Sequence, residues 1–270
     1  MRRATAVGLL VTMPLSAWCT ALPKQSVVPG GVVVLSLNVQ SDQAPVVTTG
    51  GHRVLVIRQE SGWVAVVGIA LATDPGRATI SLGGTAPRFI GFEVVAKQYA
   101  TQSLKVPPKQ VNLSKEDLAR VARERVSIER ALSHWNDTPP QSLRFAQPVP
   151  GMRSSSFGLR RVFNGESRNP HSGMDIAAPV GTAVRTPLAG EVLDTGGYFF
   201  NGNTVFVDHG GGFISMYCHL SKIAVKAGQK LEPGDKLGEV GMTGRVTGPH
   251  LHWGLSLNHA WVDPELFIEK

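Results

Sequence analysis

Cysteine is nearly absent from this sequence, since the 270 residues contain only Cys19 and Cys218. Cys19 lies in an N-terminal segment that we expect to be removed, so a single thiol would remain and no internal disulfide could form. After that segment, no apolar run approaches the ~20 residues that a membrane-spanning helix needs. The mature protein is therefore expected to rely on its core alone and to make no stable insertion into a membrane.

Charged residues are also few, at 17 % of the chain, whereas glycine (30 residues) and proline (18 residues) are plentiful. This balance disfavours long surface helices and is typical of short strands joined by turns. The formal net charge is +7, and the basic residues are dispersed along the chain. Dispersed positive charge tells against nucleic acid as a partner and favours contact with an anionic polymer such as a cell wall.

The N-terminus predicts a secretory signal peptide over residues 1–21. Two arginines precede an apolar stretch from about Ala6 to Trp18, and small residues follow as far as Ala21. The stretch is too short to span a bilayer, and we expect cleavage near Ala21. Lipidation of Cys19 is an alternative, but Trp18 occupies the position where a small residue would be needed. Export predicts a periplasmic or cell-envelope location.

Residues 22–110 form the first predicted domain, which is of the β-sandwich type. Between about Val27 and Lys97, apolar runs are separated by turn residues, including the tripeptide at 74–76 and two glycines at 83–84. Runs of this length and spacing are typical of strands in a small sandwich. The region contains no cluster of histidine, cysteine and carboxylate, so we expect a folding or docking module without chemistry of its own.

Residues 111–144 are predicted to form an amphipathic helix and a proline-rich linker. Ser114 followed by Asp117 resembles a capping box, and apolar residues recur at helical spacing as far as Trp135. The resulting apolar stripe, which Arg125 interrupts, must pack on a neighbouring surface. The prolines that follow indicate a semi-rigid linker into the next domain.

Residues 145–270 form the second predicted domain, again with short strands and glycine turns. Two of its segments offer metal-binding residues, because His171 and Asp175 lie four residues apart and His250 and His252 lie two apart. Residues i and i+2 of a strand project from the same face, so His250 and His252 should enter one pocket. A hydrolytic zinc site needs three protein ligands and one open position. One histidine of this pair could therefore bind metal while the other handles protons.

A third segment of this domain contains Cys218 and His219. Strict alternation along a strand predicts that Ser215, Tyr217 and His219 share one face, while Cys218 lies on the opposite, apolar face. We therefore interpret Cys218 as a buried structural thiol and not as a nucleophile.

The motifs HSGMD, YCHL and GPHLHWG, in this order and within glycine-rich β sequence, resemble the zinc metallopeptidases of the lysostaphin type, a family of peptidoglycan endopeptidases. The resemblance covers roughly Ser156 to Phe267 and includes the segments SSFGLRRVFNG and GNTVFVDHGGG. It implies a mostly β protein with a C-terminal antiparallel β catalytic domain, one zinc ion per chain, and the peptide stems of peptidoglycan as partner. By analogy with periplasmic members, the expected target is the D-alanyl cross-link, which would make the protein a DD-endopeptidase.

The resemblance further implies that His171, Asp175 and His252 bind zinc, while His219 and His250 serve catalysis. The sequence has no HExxH helix to supply a glutamate base, so one histidine would take the proton of the attacking water. The second would stabilise the developing oxyanion. The assignment of these two parts to His219 and His250 stays open.

Three further residues are candidates for substrate binding. Arg160 could bind a carboxylate of a peptide stem or could brace the fold. Tyr198 and Phe200, in an aromatic loop, could wall the substrate groove or could cover the edge of the sheet. Neither pair of alternatives is decided by the sequence.

Two other functions compete with a wall endopeptidase of this kind. One is a secreted endopeptidase for glycine-rich peptides, and the other is a non-catalytic activator of other wall hydrolases. All five metal and catalytic positions are filled here, which favours an enzyme. We also expect the segment before about Phe145 either to restrain the enzyme by covering its groove or to dock a partner, such as a protein regulator.

Overall fold

The computed structural model describes residues 20–84, 86–104 and 113–269. Within these ranges the chain is mostly β, as the composition predicted, and it contains one α-helix. None of the helices described is both long and apolar enough to cross a lipid bilayer. The expected signal peptide lies almost entirely outside the described residues, and so does the domain boundary expected at residue 110.

The first half of the chain folds into two small antiparallel sheets. Its strands are β1 (Val32–Ser36), β2 (Val47–Thr49), β3 (His52–Arg53), β4 (Leu55–Gln59), β5 (Gly62–Gly68), β6 (Gly76–Leu82), β7 (Arg88–Val94) and β8 (Thr101–Leu104). One sheet has the order β1-β5-β4 and the other the order β3-β2-β6-β7, whereas β8 belongs to a separate three-stranded sheet with two strands of the C-terminal half. A core that includes Leu37, Val67 and Ile80 lies between them, which confirms the sandwich-like arrangement.

The β1-β5-β4 sheet is buried on both faces. Along β5, Ala65 and Val67 belong to the core of the sandwich, whereas Val64 and Val66 belong to the core of the C-terminal half. The strand therefore reads as a nearly continuous apolar run and not as an alternation of apolar and polar residues. At its end, the side chain of Asn258 accepts a hydrogen bond from the Gly68 amide at 2.7 Å and donates one to the Gly68 carbonyl at 2.9 Å.

A single helix, α1 (Lys115–Leu132), follows the first half. Ser114 is its N-cap, as predicted, and its hydroxyl accepts a hydrogen bond from the Asp117 amide at 3.0 Å. The helix ends at Leu132 rather than near Trp135, whose ring instead lies under the guanidinium of Arg53 at 4.1 Å. The last turn of α1 packs into a core on the outer face of the C-terminal sheet, so the predicted apolar stripe is buried mainly at this end.

The proline-rich segment after the helix is packed against the protein. Leu143 and Phe145 are buried in the main core. The Leu143 amide donates to the Ala21 carbonyl at 2.8 Å, and the Phe145 amide donates to the Phe267 carbonyl at 3.0 Å. The segment therefore joins the two ends of the described chain to one core and does not act as a free spacer.

The C-terminal half is built on one large antiparallel sheet. The remaining strands are β9 (Met152–Ser155), β10 (Arg160–Phe163), β11 (Glu166–Ser167), β12 (Met174–Ala177), β13 (Ala183–Arg185), β14 (Gly190–Tyr198), β15 (Gly202–Asp208), β16 (Ile214–Ile223), β17 (Lys230–Leu231), β18 (Lys236–Val240), β19 (His250–Leu257) and β20 (Ala260–Val262). The order of the main sheet is β17-β14-β15-β16-β19-β12-β9, and in addition β18 pairs with β16 and β13, and β20 pairs with β19. Strands β10 and β11 form the separate small sheet with β8. Strand β19 thus lies between β16 and β12, and these three strands carry four of the five predicted metal and catalytic positions.

Candidate metal centre

Two neighbouring strands bring the three predicted zinc ligands together. Asp175 on β12 lies directly opposite His252 on β19 in the antiparallel register. His171 enters from the turn that precedes β12. Gly173 makes the approach possible, because a Cβ at that position would lie 2.7 Å from Cε1 of the His252 ring. A side chain at position 173 would therefore displace His252.

The three donor atoms form a nearly equilateral triangle. Nε2 of His171 lies 2.9 Å from Oδ1 of Asp175 and 2.9 Å from Nδ1 of His252, and the latter two atoms are 2.8 Å apart. The exposed fractions of the three residues are 2 %, 7 % and 9 %, in the order His171, Asp175 and His252. Two imidazole nitrogens and a carboxylate oxygen are donors of the kind that zinc takes in hydrolytic sites.

Proton positions at this triangle fit a cation. Nδ1 of His171 lies 2.8 Å from the Ser156 carbonyl, which can only accept, so the proton of this ring belongs on Nδ1 and Nε2 presents a lone pair. Nε2 and the Asp175 carboxylate then face each other as two acceptors with no proton between them. Such a contact is favourable only when a positive charge lies between the two atoms. The donor set therefore fits a divalent metal better than it fits a plain hydrogen-bond network.

The charge state of the ligands is also suitable for a metal. Burial opposes ionisation of Asp175, but the adjacent His171 and His252 imidazoles outweigh it and hold the pKa of the carboxyl well below its usual range. Burial lowers the pKa of His252, which favours the neutral imidazole. A carboxylate and a neutral imidazole are the forms that bind a metal.

His219 and His250 lie beside the triangle with their rings close together. The ring centroids are 4.9 Å apart, and the His219 ring is 6.0 Å from that of His252. Nδ1 of His219 donates to the Thr243 carbonyl at 2.9 Å, and Nδ1 of His250 donates to the Gly248 carbonyl at 2.9 Å. Each ring therefore keeps Nε2 for the site. Burial, followed by the neighbouring imidazoles, lowers the pKa of His219 to about 3, so this ring is neutral at neutral pH.

The prediction that His219 shares a face with Ser215 and Tyr217 is wrong. Tyr217 and Leu220 both belong to the main core, on the side of the sheet away from the metal ligands, whereas Cys218 belongs to the core on the other side. Alternation breaks at His219, which has a φ of +64°. This left-handed backbone, at an irregularity in the pairing of β16, turns the imidazole toward His250. Non-glycine residues in this conformation are strained and cluster at functional sites.

Cys218 is a buried thiol, as interpreted from the sequence. It is fully buried, and it lies opposite His252 on the neighbouring strand. Burial raises the pKa of the thiol to about 12. A group that stays protonated at neutral pH is inert as a nucleophile.

The structure places Arg160 away from the site and Arg161 within it. Arg160 is exposed on β10, and its amide donates to the Ala100 carbonyl at 2.9 Å. The next residue, Arg161, points to the other face, where its Nη2 lies 3.5 Å from Oδ2 of Asp175. The motif does not distinguish the two adjacent arginines, because the parallel pairing of β10 with β8 that orients them has no local signal in the sequence.

Of the two aromatic candidates, Phe200 lies at the site and Tyr198 lies behind it. Phe200 lines a cavity of about 570 Å³ that also includes His171, His219 and His252. Tyr198 is buried under α1, where its hydroxyl donates to Oδ2 of Asp194 at 2.7 Å. Tyr198 is thus placed to support the loop that carries Phe200.

Helix α1 reaches the same cavity and is tied to this aromatic loop. Leu118 lines the cavity while its exposed fraction is 55 %. The Phe199 amide donates to Oε2 of Glu124 at 2.8 Å, and Nη2 of Arg120 donates to the Gly197 carbonyl at 2.9 Å. The helix therefore contributes Leu118 to the wall of the cavity and is held there by its contacts with the aromatic loop.

Comparison with known proteins supports this arrangement. The sequence profile of Peptidase family M23 matches residues 169–264, and that of the Peptidase family M23 N-terminal domain matches residues 25–97. A crystal structure of an M23 peptidase from Pseudomonas aeruginosa is 44 % identical, with a TM-score of 0.77 over 90 % of this chain and 95 % of that one.

Curated relatives match mainly the C-terminal half. The peptidoglycan DD-endopeptidase ShyA of Vibrio cholerae is 48 % identical over 103 residues, which is 38 % of this chain and 24 % of ShyA. The DD-carboxypeptidase/endopeptidase Mpg of Neisseria meningitidis is 39 % identical over 111 residues, which is 41 % of this chain and 26 % of Mpg. The match thus spans about a quarter of each relative. Both profiles and the Pseudomonas structure, which the chain covers almost completely, lead to the same conclusion: the chain belongs to peptidase family M23.

Proposed function

We propose that this protein is a zinc metalloendopeptidase that hydrolyses peptide cross-links of bacterial peptidoglycan, with the D-alanyl bond as target. The observation that carries the proposal is the triangle of donor atoms from His171, Asp175 and His252, with the rings of His219 and His250 beside it. Relatives named as DD-endopeptidases support the choice of bond. This substrate requires a protein in the periplasm or cell envelope, and residues 1–21 would direct its export to that location.

The chain's own residues supply orientation and proton transfer. His171, Asp175 and His252 would hold one zinc ion, which supplies Lewis acidity toward a water molecule and a peptide carbonyl. Of His219 and His250, the ring that is neutral accepts the proton of the attacking water at Nε2. The other, as an imidazolium that is protonated on both nitrogens, donates a hydrogen bond from Nε2 to the developing oxyanion. The hydrogen bonds from Nδ1 to backbone carbonyls fix both rings in the orientation that this needs.

The metal set is tested by single substitutions. His171→Ala, Asp175→Ala and His252→Ala should each lose zinc and activity together, because two protein ligands are too few to retain the ion. His52→Ala, at an exposed histidine of the first half, is the matched control and should keep both. Zinc content is measured by atomic absorption on folded protein. Full occupancy in Asp175→Ala would remove that residue from the ligand set.

The reaction is tested on purified peptidoglycan followed by mass spectrometry of the products. We expect cross-linked muropeptides to be replaced by monomers cut at the D-alanyl cross-link, and a chelator to abolish the conversion. Cleavage of glycine-rich peptides with no action on directly cross-linked wall would favour the secreted glycine-rich-peptide endopeptidase. No cleavage by zinc-loaded protein, together with stimulation of another hydrolase, would favour the non-catalytic activator.

A further inference from the structure

Three arginines line the cavity at the metal centre. Arg161, Arg168 and Arg245 share this cavity of about 570 Å³ with His171 and His252. Among the described residues that line it, none is aspartate or glutamate. A concave site with one sign of charge and low-dielectric walls concentrates ligands of the opposite charge.

Two of the arginines belong to one hairpin. Arg161 is on β10, and the amide of Arg168, directly after β11, donates to its carbonyl at 2.8 Å. Arg161 contacts Asp175 only through Nη2, at 3.5 Å, and its Nε is buried without a hydrogen-bond partner in the described structure. Arg168 contacts Glu166, a carboxylate that is itself exposed and outside the cavity. The two arginines of the hairpin therefore bring a net positive charge to the cavity.

The third arginine comes from the loop before β19. The guanidinium of Arg245 lies 4.2 Å from the centre of the Phe200 ring, and its amide donates to the Phe200 carbonyl at 2.9 Å. Burial, and then the charges of Arg161 and Arg168, lower the pKa of Arg245. The guanidinium still carries its charge at neutral pH, because arginine in proteins stays protonated. The three cations are therefore close enough to repel one another, and an anion between them would relieve this repulsion.

We propose that Arg161, Arg168 and Arg245 form an anion site that binds a free carboxylate of the substrate peptide next to the scissile bond. The proposal rests on the proposed function and narrows its substrate class. The cavity also contains residues of the metal site, so a group bound there must be part of the peptide that is cut. The anionic group of a peptide is a carboxylate. Guanidinium groups match the planar geometry of a carboxylate and can bind it through two parallel hydrogen bonds.

Near the cross-link, a stem peptide offers such a carboxylate in two places, on the diamino acid and at the end of the stem. Three synthetic cross-linked peptides separate these sources: the parent, the parent with the diamino acid carboxylate converted to a primary amide, and the parent with the terminal carboxylate converted to a primary amide. The wild-type protein should cleave one of the two amides with kcat/KM about 10- to 100-fold below that of the parent, the range expected for charge-assisted hydrogen bonds.

Arginine variants then assign the effect to the cavity. Arg168→Gln and Arg245→Gln should lower kcat/KM for the parent by a similar factor and leave kcat/KM for the poorly cleaved amide unchanged. The preference for the parent over that amide should therefore disappear. Arg245→Lys keeps the positive charge but lacks the two parallel N–H donors of the guanidinium, so it should retain part of the preference that Arg245→Gln loses. Arg123→Gln makes the same change in net charge at an exposed position of α1 and is the matched control. Zinc content and circular dichroism of each variant exclude loss of the metal or of the fold.

Equal kcat/KM of the wild-type protein for all three peptides would overturn the anion site while leaving the endopeptidase intact. An equal loss on all three peptides in the arginine variants would do the same, because it would indicate a structural role. No cleavage of any peptide would count against the proposed function itself. In that case calorimetric binding of the parent and the two amides to the same protein decides the anion site independently, since only a site for a carboxylate binds the parent more tightly.

Discussion

Replacing His209 by Asn should make the fold less sensitive to acid. His209 follows β15 and is buried behind the metal-binding face, with its Nδ1–H donating to the Ala189 carbonyl at 2.8 Å. Nε2 lies 2.7 Å from the hydroxyl of Ser215, which lies 3.1 Å from that of Tyr217. The network is complete with a neutral ring, because Nε2 accepts and Nδ1 donates. A second proton on the ring would place an uncompensated charge in the core.

The magnitude follows from the pKa. Burial lowers the pKa of His209 from 6.5 to about 4, although the hydrogen bond to Ala189 acts in the opposite direction. At about 1.36 kcal/mol per pKa unit, this difference corresponds to about 3 kcal/mol of folding free energy. Since the folded-state pKa is the lower one, the stability is fully present above pH 6.5 and is lost as the pH falls through about 4.

The assay is urea unfolding of metal-stripped protein at several pH values between 7 and 4, for the wild type and His209→Asn. Asparagine keeps an amide donor near the position of Nδ1 but does not titrate. Other groups titrate equally in both proteins, so the difference between their pH profiles isolates His209. We expect the wild type to lose about 3 kcal/mol more than the variant over this range. Parallel profiles would refute the reasoning, because His209 would then take up its proton equally in the folded and unfolded states.

Two further predictions concern the cavity. His219→Ala and His250→Ala should keep zinc and lose turnover by about 100-fold or more if each acts in the transition state, and release of metal on dialysis would make that histidine a ligand instead. Leu118→Ala should raise kcat/KM on a soluble cross-linked muropeptide several-fold if α1 restrains access, whereas Val126→Ala, at an exposed position of the same helix outside the cavity, should not. Equal or lower activity of Leu118→Ala would favour the docking role of the helix.

Much of the strand pattern was predictable because apolar runs and turn residues are local signals. The apolar runs predicted between about Val27 and Lys97 coincide with β1, β4, β5, β6 and β7, and the predicted N-cap is Ser114. The two strands missed in the first half, β2 and β8, are three and four residues long and depend on distant partners. Strand β8 exists because it pairs in parallel with β10, and no local pattern encodes that contact.

The site was predictable to the extent that it depends on sequence spacing. Asp175 and His252 face each other because two short strands pair in one register, and the motifs carry that register. The direction of the His219 side chain depends on the left-handed backbone of His219 itself. Strict alternation along the strand predicts the face of the sheet opposite to the one observed. The three arginines of the cavity were missed because they come from two separate loops and one strand. The signal available was the charge of the segment 160–168, which holds three of the chain's arginines in nine residues.

The sheet β1-β5-β4 has one face in each of the two cores. It therefore couples the two halves of the protein both mechanically and in their thermodynamic stability. Removing the first half would strip a fully apolar layer, including Val64 and Val66, from the core beneath the metal-binding sheet. Heat or denaturant should therefore unfold both halves in a single cooperative transition. The amide protons of β5 should exchange with solvent as slowly as those of β16, since only global unfolding would expose either strand.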